Sequence, residues 1–257
     1  MADLYSVSQK DLEFAPQNEL QKKKLARDQK HFAEKQAAVA AKAKAQEELL
    51  VEMQGKLAKY EAEYAAQQEE ESRLKAEAKA NGGFYKPADP KVLLVVRIRG
   101  VNKLCPRVRK IFQLFRLLQL HNAAFVKVNK ASLNMLKHIE PFCTFGYPDL
   151  ETVRKLIYKR GYLRTGPMGA RSRVRITDNM QVADLLGEYG VRGVEDIVHE
   201  ILTCGPHFRQ VNRALWTFKL HAPRGGFIAK RHGFNEFRKG DWGNREQYIN
   251  QLVQKML

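Results

Sequence analysis

From Glu19 to Ala80 the chain carries no proline and one glycine, Gly55, while Ala, Glu, Gln, Lys and Leu dominate. Such side chains lose little rotamer freedom in a helix, so the segment predicts one or two long helices. Leu50, Met53, Leu57, Tyr60 and Tyr64 follow a 3-4-3-4 spacing, and Leu25, Phe32 and Val39 recur every seven residues. Neither run reaches the roughly three or four heptads that sustain a coiled coil, which favours a helical arm lying on a larger partner over a homodimeric seam. Asn81-Gly82-Gly83 ends the pattern.

Past Pro87 and Pro90 the period changes. Val92, Leu94, Val96 and Ile98 alternate with Leu93, Val95, Arg97 and Arg99, predicting a strand with one apolar face and a basic end on the other. A second strand spans Ala124 to Lys130, with Phe125, Lys127 and Asn129 on one face. Pairing the two would set Arg97 and Arg99 beside Phe125 and Lys127, either as a platform for phosphates and a stacked base or as an ordinary polar outer face.

The helices read from their stripes and caps. Cys105-Pro106 opens one carrying Val108, Ile111, Phe112, Phe115 and Leu118 on one side and Arg109, Gln113 and Arg116 on another. Ser132 is placed as the cap of a second, and Asp149 as the cap of a third that buries Leu150, Val153, Leu156 and Ile157 and ends at Lys159-Arg160 before Gly161. Thr177 or Asp178 restarts a helix to about Leu186. Another turns Val194, Ile197, Val198, Ile201 and Leu202 inward, leaving Glu195, Asp196 and Glu200 on a solvated polar face and His199 at the surface or the edge of the core. Asn244 and Gln247 resemble a capping box for a C-terminal helix burying Tyr248, Ile249, Leu252, Val253 and Met256.

Charge adds direction. The 257 residues have a formal net charge of +17. Residues 1–80 hold 14 Lys or Arg against 15 Asp or Glu, whereas residues 81–257 hold 31 against 13. The whole excess lies in the folded part, which implies a polyanionic partner. Thr152 to Thr177 has eight basic residues and no acid; Arg160, Arg164, Arg171, Arg173 and Arg175 alternate there with Gly161, Gly166 and Gly169 in a loop or short ribbon. Guanidinium forks bind phosphate in two-point geometry, and glycines let the backbone approach it. Lys219 to Arg245 reads as an extended basic loop, adding Arg224, Lys230, Arg231, Arg238 and Arg245 as candidate RNA contacts.

Catalytic patterns are missing. Gly166 to Gly169 lacks the following Lys-Ser or Lys-Thr of a P-loop, no GxGxxG follows the Val92 strand, and the histidines match no metal spacing. Neither cofactor nor metal is expected. Cys105, Cys143 and Cys204 read as reduced, mostly buried thiols. No apolar stretch reaches the roughly 18–20 residues of a membrane span, and the acidic residues of Met1 to Phe14 argue against a secretory or transit segment.

Several blocks carry a resemblance. Val96-Arg97-Ile98-Arg99-Gly100-Val101-Asn102, Phe125-Val126-Lys127-Val128-Asn129-Lys130-Ala131-Ser132, Gly146-Tyr147-Pro148, Leu156-Ile157-Tyr158-Lys159-Arg160-Gly161-Tyr162, and Gly240-Asp241 with Gly243-Asn244-Arg245-Glu246 resemble the eukaryotic L-seven branch of the L-thirty family of large-subunit ribosomal proteins. The likeness implies an α+β fold: a ferredoxin-like αβ sandwich over residues 91–257, with added C-terminal helices and a basic loop, reached from a helical arm at 1–80 through a linker at 81–90. It implies a structural constituent of the cytosolic large subunit, binding large-subunit rRNA beside neighbouring ribosomal proteins and passing through the nucleolus during assembly. No membrane contact and no stable homo-oligomer are expected. The phosphate contacts it implies are Arg97, Arg99, Lys127, Lys130, Lys159, Arg160 and Arg164, and it assigns no catalytic residue. A ribosome-biogenesis factor of the same family is the alternative, with an RNA-modifying enzyme further off. Relatives tend to have strongly basic N-terminal extensions, whereas this one is charge-balanced, so protein contacts along the arm are as well supported as RNA contacts.

Overall fold

In the computed structural model, which describes residues 19–257 apart from positions 101, 103 and 168, β1 (Val92–Arg97) is buried along its whole length. It pairs antiparallel with β2 (Asn122–Lys127) on one side and with β3 (Cys143–Gly146) on the other. Short strands complete the sheet, β6 (Phe218–Lys219) beside β2 and β7 (Gly243–Asn244) parallel to β3. A separate antiparallel ribbon joins β4 (Tyr162–Thr165) to β5 (Ser172–Arg175).

Alternate residues of β1 enter two different cores. Val92, Leu94 and Val96 pack with Phe125 against α4 (Leu150–Arg160), α5 (Asn179–Leu186), α6 (Val194–Thr203), α7 (Phe208–Ala214) and α8 (Ile249–Met256). Leu93 and Val95 pack with Ala124 and Val126 against α2 (Pro106–Leu114) and α3 (Lys130–Ile139). This is the ferredoxin-like sandwich with added C-terminal helices. Phe125 pairs with Leu94 and so faces away from Arg97, which shares the parity of Leu93 and Val95. The expected pairing of Arg97 beside Phe125 does not form, and because helices cover both faces the sheet presents no open platform. Phe125 is 2% exposed and meets Phe218 edge to face, and Arg97 is 1% exposed.

Side chains cap the starts of α3 and α5, and the helix starts depart from the sequence reading in three places. Asn129, not Ser132, is the N-cap of α3; the two side chains bond reciprocally to each other's backbone N–H, with Ser132 at the third helical position. Asp149 precedes α4 in extended conformation but its side chain caps nothing, whereas Asp178 Oδ1 does accept from Met180 N at the start of α5. Asn244 Oδ1 closes a local turn on Glu246 N, so the final helix begins only at Ile249, after a 3-10 turn. All three cysteines are free; Cys143 is buried, Cys204 half-buried and Cys105 exposed.

α1 (Glu19–Ala80) is a 62-residue helix. By its internal contacts the chain divides into residues 1–52 and 53–257, so α1 contributes to both units. Residues 1–18 of the expected arm lie outside the described residues. Within 19–52 the helix leaves Leu20, Phe32, Val39, Leu50 and Val51 exposed. In the second unit Met53 and Tyr64 are buried, and a Cβ on Gly193 would collide with the Met53 side chain. Tyr60 stacks on His199 with ring centres 4.0 Å apart, and Tyr64 Oη lies 3.0 Å from His199 Nδ1. The acids of α6 are therefore not solvated. Asp196 is 3% exposed and accepts from Tyr60 Oη, Arg192 N and Gly193 N, with Lys56 Nζ at 3.3 Å. Glu195 accepts from Arg154 and Tyr158, and Glu200 from His207 N.

Candidate nucleic-acid interface

The arginine-rich segment forms the β4–β5 ribbon, in register Arg164 opposite Arg173 and Thr165 opposite Ser172. Gly166 and Gly169, at φ +95° and +107°, turn the chain between the strands, a conformation that side chains with a Cβ rarely take. Aromatic rings hold two of the arginines. The Arg173 guanidinium lies 3.9 Å from the Tyr162 ring centre, and that of Arg164 5.1 Å from Trp216. A flat cation on an aromatic face stays extended and charged, which preorganises it for an anion.

The ribbon borders a groove of about 490 Å³ lined by Arg116, Arg164, Arg171, Arg173 and Lys219, together with Asn122, Trp216 and Leu118. No carboxylate lines it. Arg116 reaches it through a left-handed residue conformation, φ 61°, just past α2, and donates to the carbonyl oxygens of Asn212 and Leu215. Burial, and then the nearby Arg164 charge, pull its guanidinium down to about 10. Burial likewise lowers Arg164, with Arg171 and Arg213 adding repulsion, and Arg164 Nε is buried without a partner among the described residues. Cations crowded together in partial burial, with no acid among them, create a local potential that a phosphodiester relieves.

Four members of this groove, Arg116, Asn122, Trp216 and Lys219, carry no sign of it in the sequence. Arg116 shares the polar side of the α2 stripe, and nothing local marks Trp216 or Asn122. Their convergence depends on β6 pairing with β2, which sets Lys219 opposite Asn122.

The other candidates scatter. Arg97 must be withdrawn as a surface contact. Its Nη1 donates to the carbonyls of Leu117 and Leu118, its Nε to Arg99 O, and it lies 4.2 Å over Phe112. Arg245 is withdrawn too, being 7% exposed and ion-paired with Asp241, whose other oxygen accepts from Ala229 N. That pair ties the 229–245 loop together. Arg99 is half-buried over Phe142, at the opposite end of β1 from Lys127, which pairs with Val92. Lys127, Lys130, Lys159, Arg175, Arg224, Arg231 and Arg238 are exposed. Arg160 is half-buried and donates to Leu257 O, and Lys230 lies 4.5 Å over Phe227. Among the described residues no cluster of acids, histidines and cysteines is arranged to hold a metal ion, and no helix is long and apolar enough to cross a membrane.

Comparison with known proteins gives two matching family models: one described as ribosomal protein L30p/L7e over residues 93–143, and one described as the ribosomal L30 N-terminal domain over residues 17–88. The chain is 52% identical over 202 residues to a large ribosomal subunit protein uL30 of Tetrahymena thermophila, covering 79% of this chain and 82% of that protein. It is 50% identical over 198 residues to the uL30 protein of Dictyostelium discoideum, covering 77% and 78%. With a uL30B protein of Schizosaccharomyces pombe it shares 44% identity over 246 residues, 95% of each chain.

Proposed function

Because the chain belongs to the ribosomal protein L30p/L7e family, we propose that it is a structural constituent of the large ribosomal subunit that holds rRNA through the β4–β5 ribbon and its groove. The family is one of structural proteins, and the chain is not an enzyme. The observation that carries the RNA assignment is the acid-free groove, where four arginines and Lys219 converge from separated segments. Arg175, Arg213 and Arg231 are exposed cations that extend the contact beyond it, and neighbouring ribosomal proteins complete the surroundings. The place of work is the cytoplasmic ribosome, reached through nucleolar assembly.

The test is binding of the full-length protein to large-subunit rRNA across a range of salt. Each phosphate neutralised contributes roughly 0.7–0.9 to the log–log slope. Arg171→Gln with Arg173→Gln should therefore flatten the slope by about 1.5 while the fold melts as before. An unchanged slope would remove the ribbon from the interface. Stoichiometric presence in translating polysomes separates a mature component from a biogenesis factor, which would be confined to nuclear precursors.

A further inference from the structure

Phosphate binding leaves one feature of the groove unused. Asn122, at the start of β2, is 5% exposed, and its Oδ1 is buried with no hydrogen-bond partner among the described residues. The residue lines the groove with Trp216, Thr217 and Leu118. A buried acceptor without a donor costs free energy that a ligand can recover, but a phosphate oxygen is itself an acceptor and cannot supply the bond. What is needed is an N–H or O–H held close to a ring surface.

A nucleobase meets both conditions. Its Watson–Crick edge carries amino or imino N–H groups, and its face stacks on aromatic or guanidinium planes. Trp216 is half-buried with Arg164 over its ring, and Leu118, 58% exposed, adds apolar surface. The volume of about 490 Å³ falls within the roughly 300–1,000 Å³ of small-molecule pockets, enough for one extruded nucleotide. Paired bases keep their edges and faces inside the helix, so a duplex could reach the cations but not Asn122.

We propose that the groove captures a single unpaired nucleotide: its base edge donates to Asn122 Oδ1, its ring packs against Trp216, and the adjoining phosphates lie on Arg171, Arg173 and Lys219. The proposal rests on the reading that this groove binds RNA. It makes the site a reader of RNA secondary structure rather than a passive cation.

The full-length protein would be titrated with short labelled homopolymer strands of A, C, G and U, a perfectly paired RNA duplex of equal phosphate number, and deoxy versions of the single strands. The wild type should prefer at least one single strand over the duplex by about fivefold or more. Asn122→Ala should erase that preference, and Trp216→Leu should do the same where Trp216→Phe does not. A wild type without preference, or an Asn122→Ala protein that retains it, would overturn the proposal. In either case flattening of the slope by the Arg171 and Arg173 substitutions would leave phosphate binding standing. A preference that vanishes on the deoxy strands would assign the donor to the ribose hydroxyl and refute the base-edge contact.

Discussion

Asp196→Ala should be the most damaging exposed-to-solvent-looking substitution in the molecule, because that carboxylate joins α1 to α6. Asp196 Oδ2 accepts from Arg192 N at 2.8 Å and Gly193 N at 3.3 Å, and Oδ1 from Tyr60 Oη at 2.9 Å. Two helix-entry N–H bonds contribute about 1 kcal/mol each, and a hydroxyl donating to a carboxylate about 1.5 kcal/mol. Lys56, with 27% of its side chain exposed, is worth only a few tenths after solvent screening. The loss comes to about 3–4 kcal/mol, since alanine leaves those donors with no acceptor at a site 3% exposed. Urea unfolding of the full chain, followed through Trp216 and Trp242, should show the midpoint falling by about 1.5–2 M at a slope near 2 kcal/mol per molar. Tyr60→Phe should cost about 1 kcal/mol, and the double variant should fall short of additivity by a similar amount. A loss below about 0.5 kcal/mol, or strict additivity, would show that α1 is held by the Met53 and Tyr64 packing alone.

Arg97→Ala should destabilise the chain by about 3 kcal/mol or more, because it strands the Leu117 and Leu118 carbonyls, yet leave the RNA salt slope unaltered when measured below the melting point. Burial raises Tyr64 from 10.0 to about 12, so the folded chain keeps a proton that the unfolded chain loses. Stability should be level below pH 10 and fall from there towards pH 12, and Tyr64→Phe should remove that tyrosine's part of the fall in thermal melts. A Cβ at Gly240 would run into the His232 carbonyl, so Gly240→Ala should open the 229–245 loop to proteolysis while the sheet core stays resistant.

What the sequence made legible was local. The β-branched run of β1, the cap at Asp178 and the apolar stripes of α4 and α6 are each set by neighbours within a few residues, so period and cap chemistry suffice, whereas at α3 the sequence points to Ser132 and the cap is Asn129, three residues earlier. Alternation also separated Phe125 correctly from Ala124 and Val126 in β2. Parity cannot say whether both faces are covered, however, and here helices from residues 150–256 cover the face that Leu94 and Phe125 share. Arg97 follows the same logic: its partners arrive with the turn after α2, about twenty residues on, and a basic residue ending a strand carries no sign of them. Asp196 reads as solvated because its partners Lys56 and Tyr60 lie 140 and 136 residues away, and Glu195 because Arg154 and Tyr158 lie 41 and 37 away.

The same internal pairing explains why the ribbon keeps its positive charge. Acids are fewer than cations in residues 81–257, and much of what there is becomes occupied inside the fold: Glu195 on Arg154, Asp196 on α1, Glu200 on the α7 entrance and Asp241 on Arg245. Among the described residues Arg164, Arg171, Arg173 and Arg175 form no ion pair with a carboxylate. Mixed charge on the ribbon would have allowed the free protein to neutralise itself and compete with RNA for every guanidinium. By committing these four carboxylates to joining elements of the fold, the chain leaves the groove cations without an acid beside them: burial first, and then their mutual repulsion, lowers Arg116 and Arg164. On the proposed reading a polyanion seated there would relieve that repulsion, so Arg171→Gln with Arg173→Gln should bring the remaining groove arginines closer to their ordinary basicity as well as flatten the salt slope.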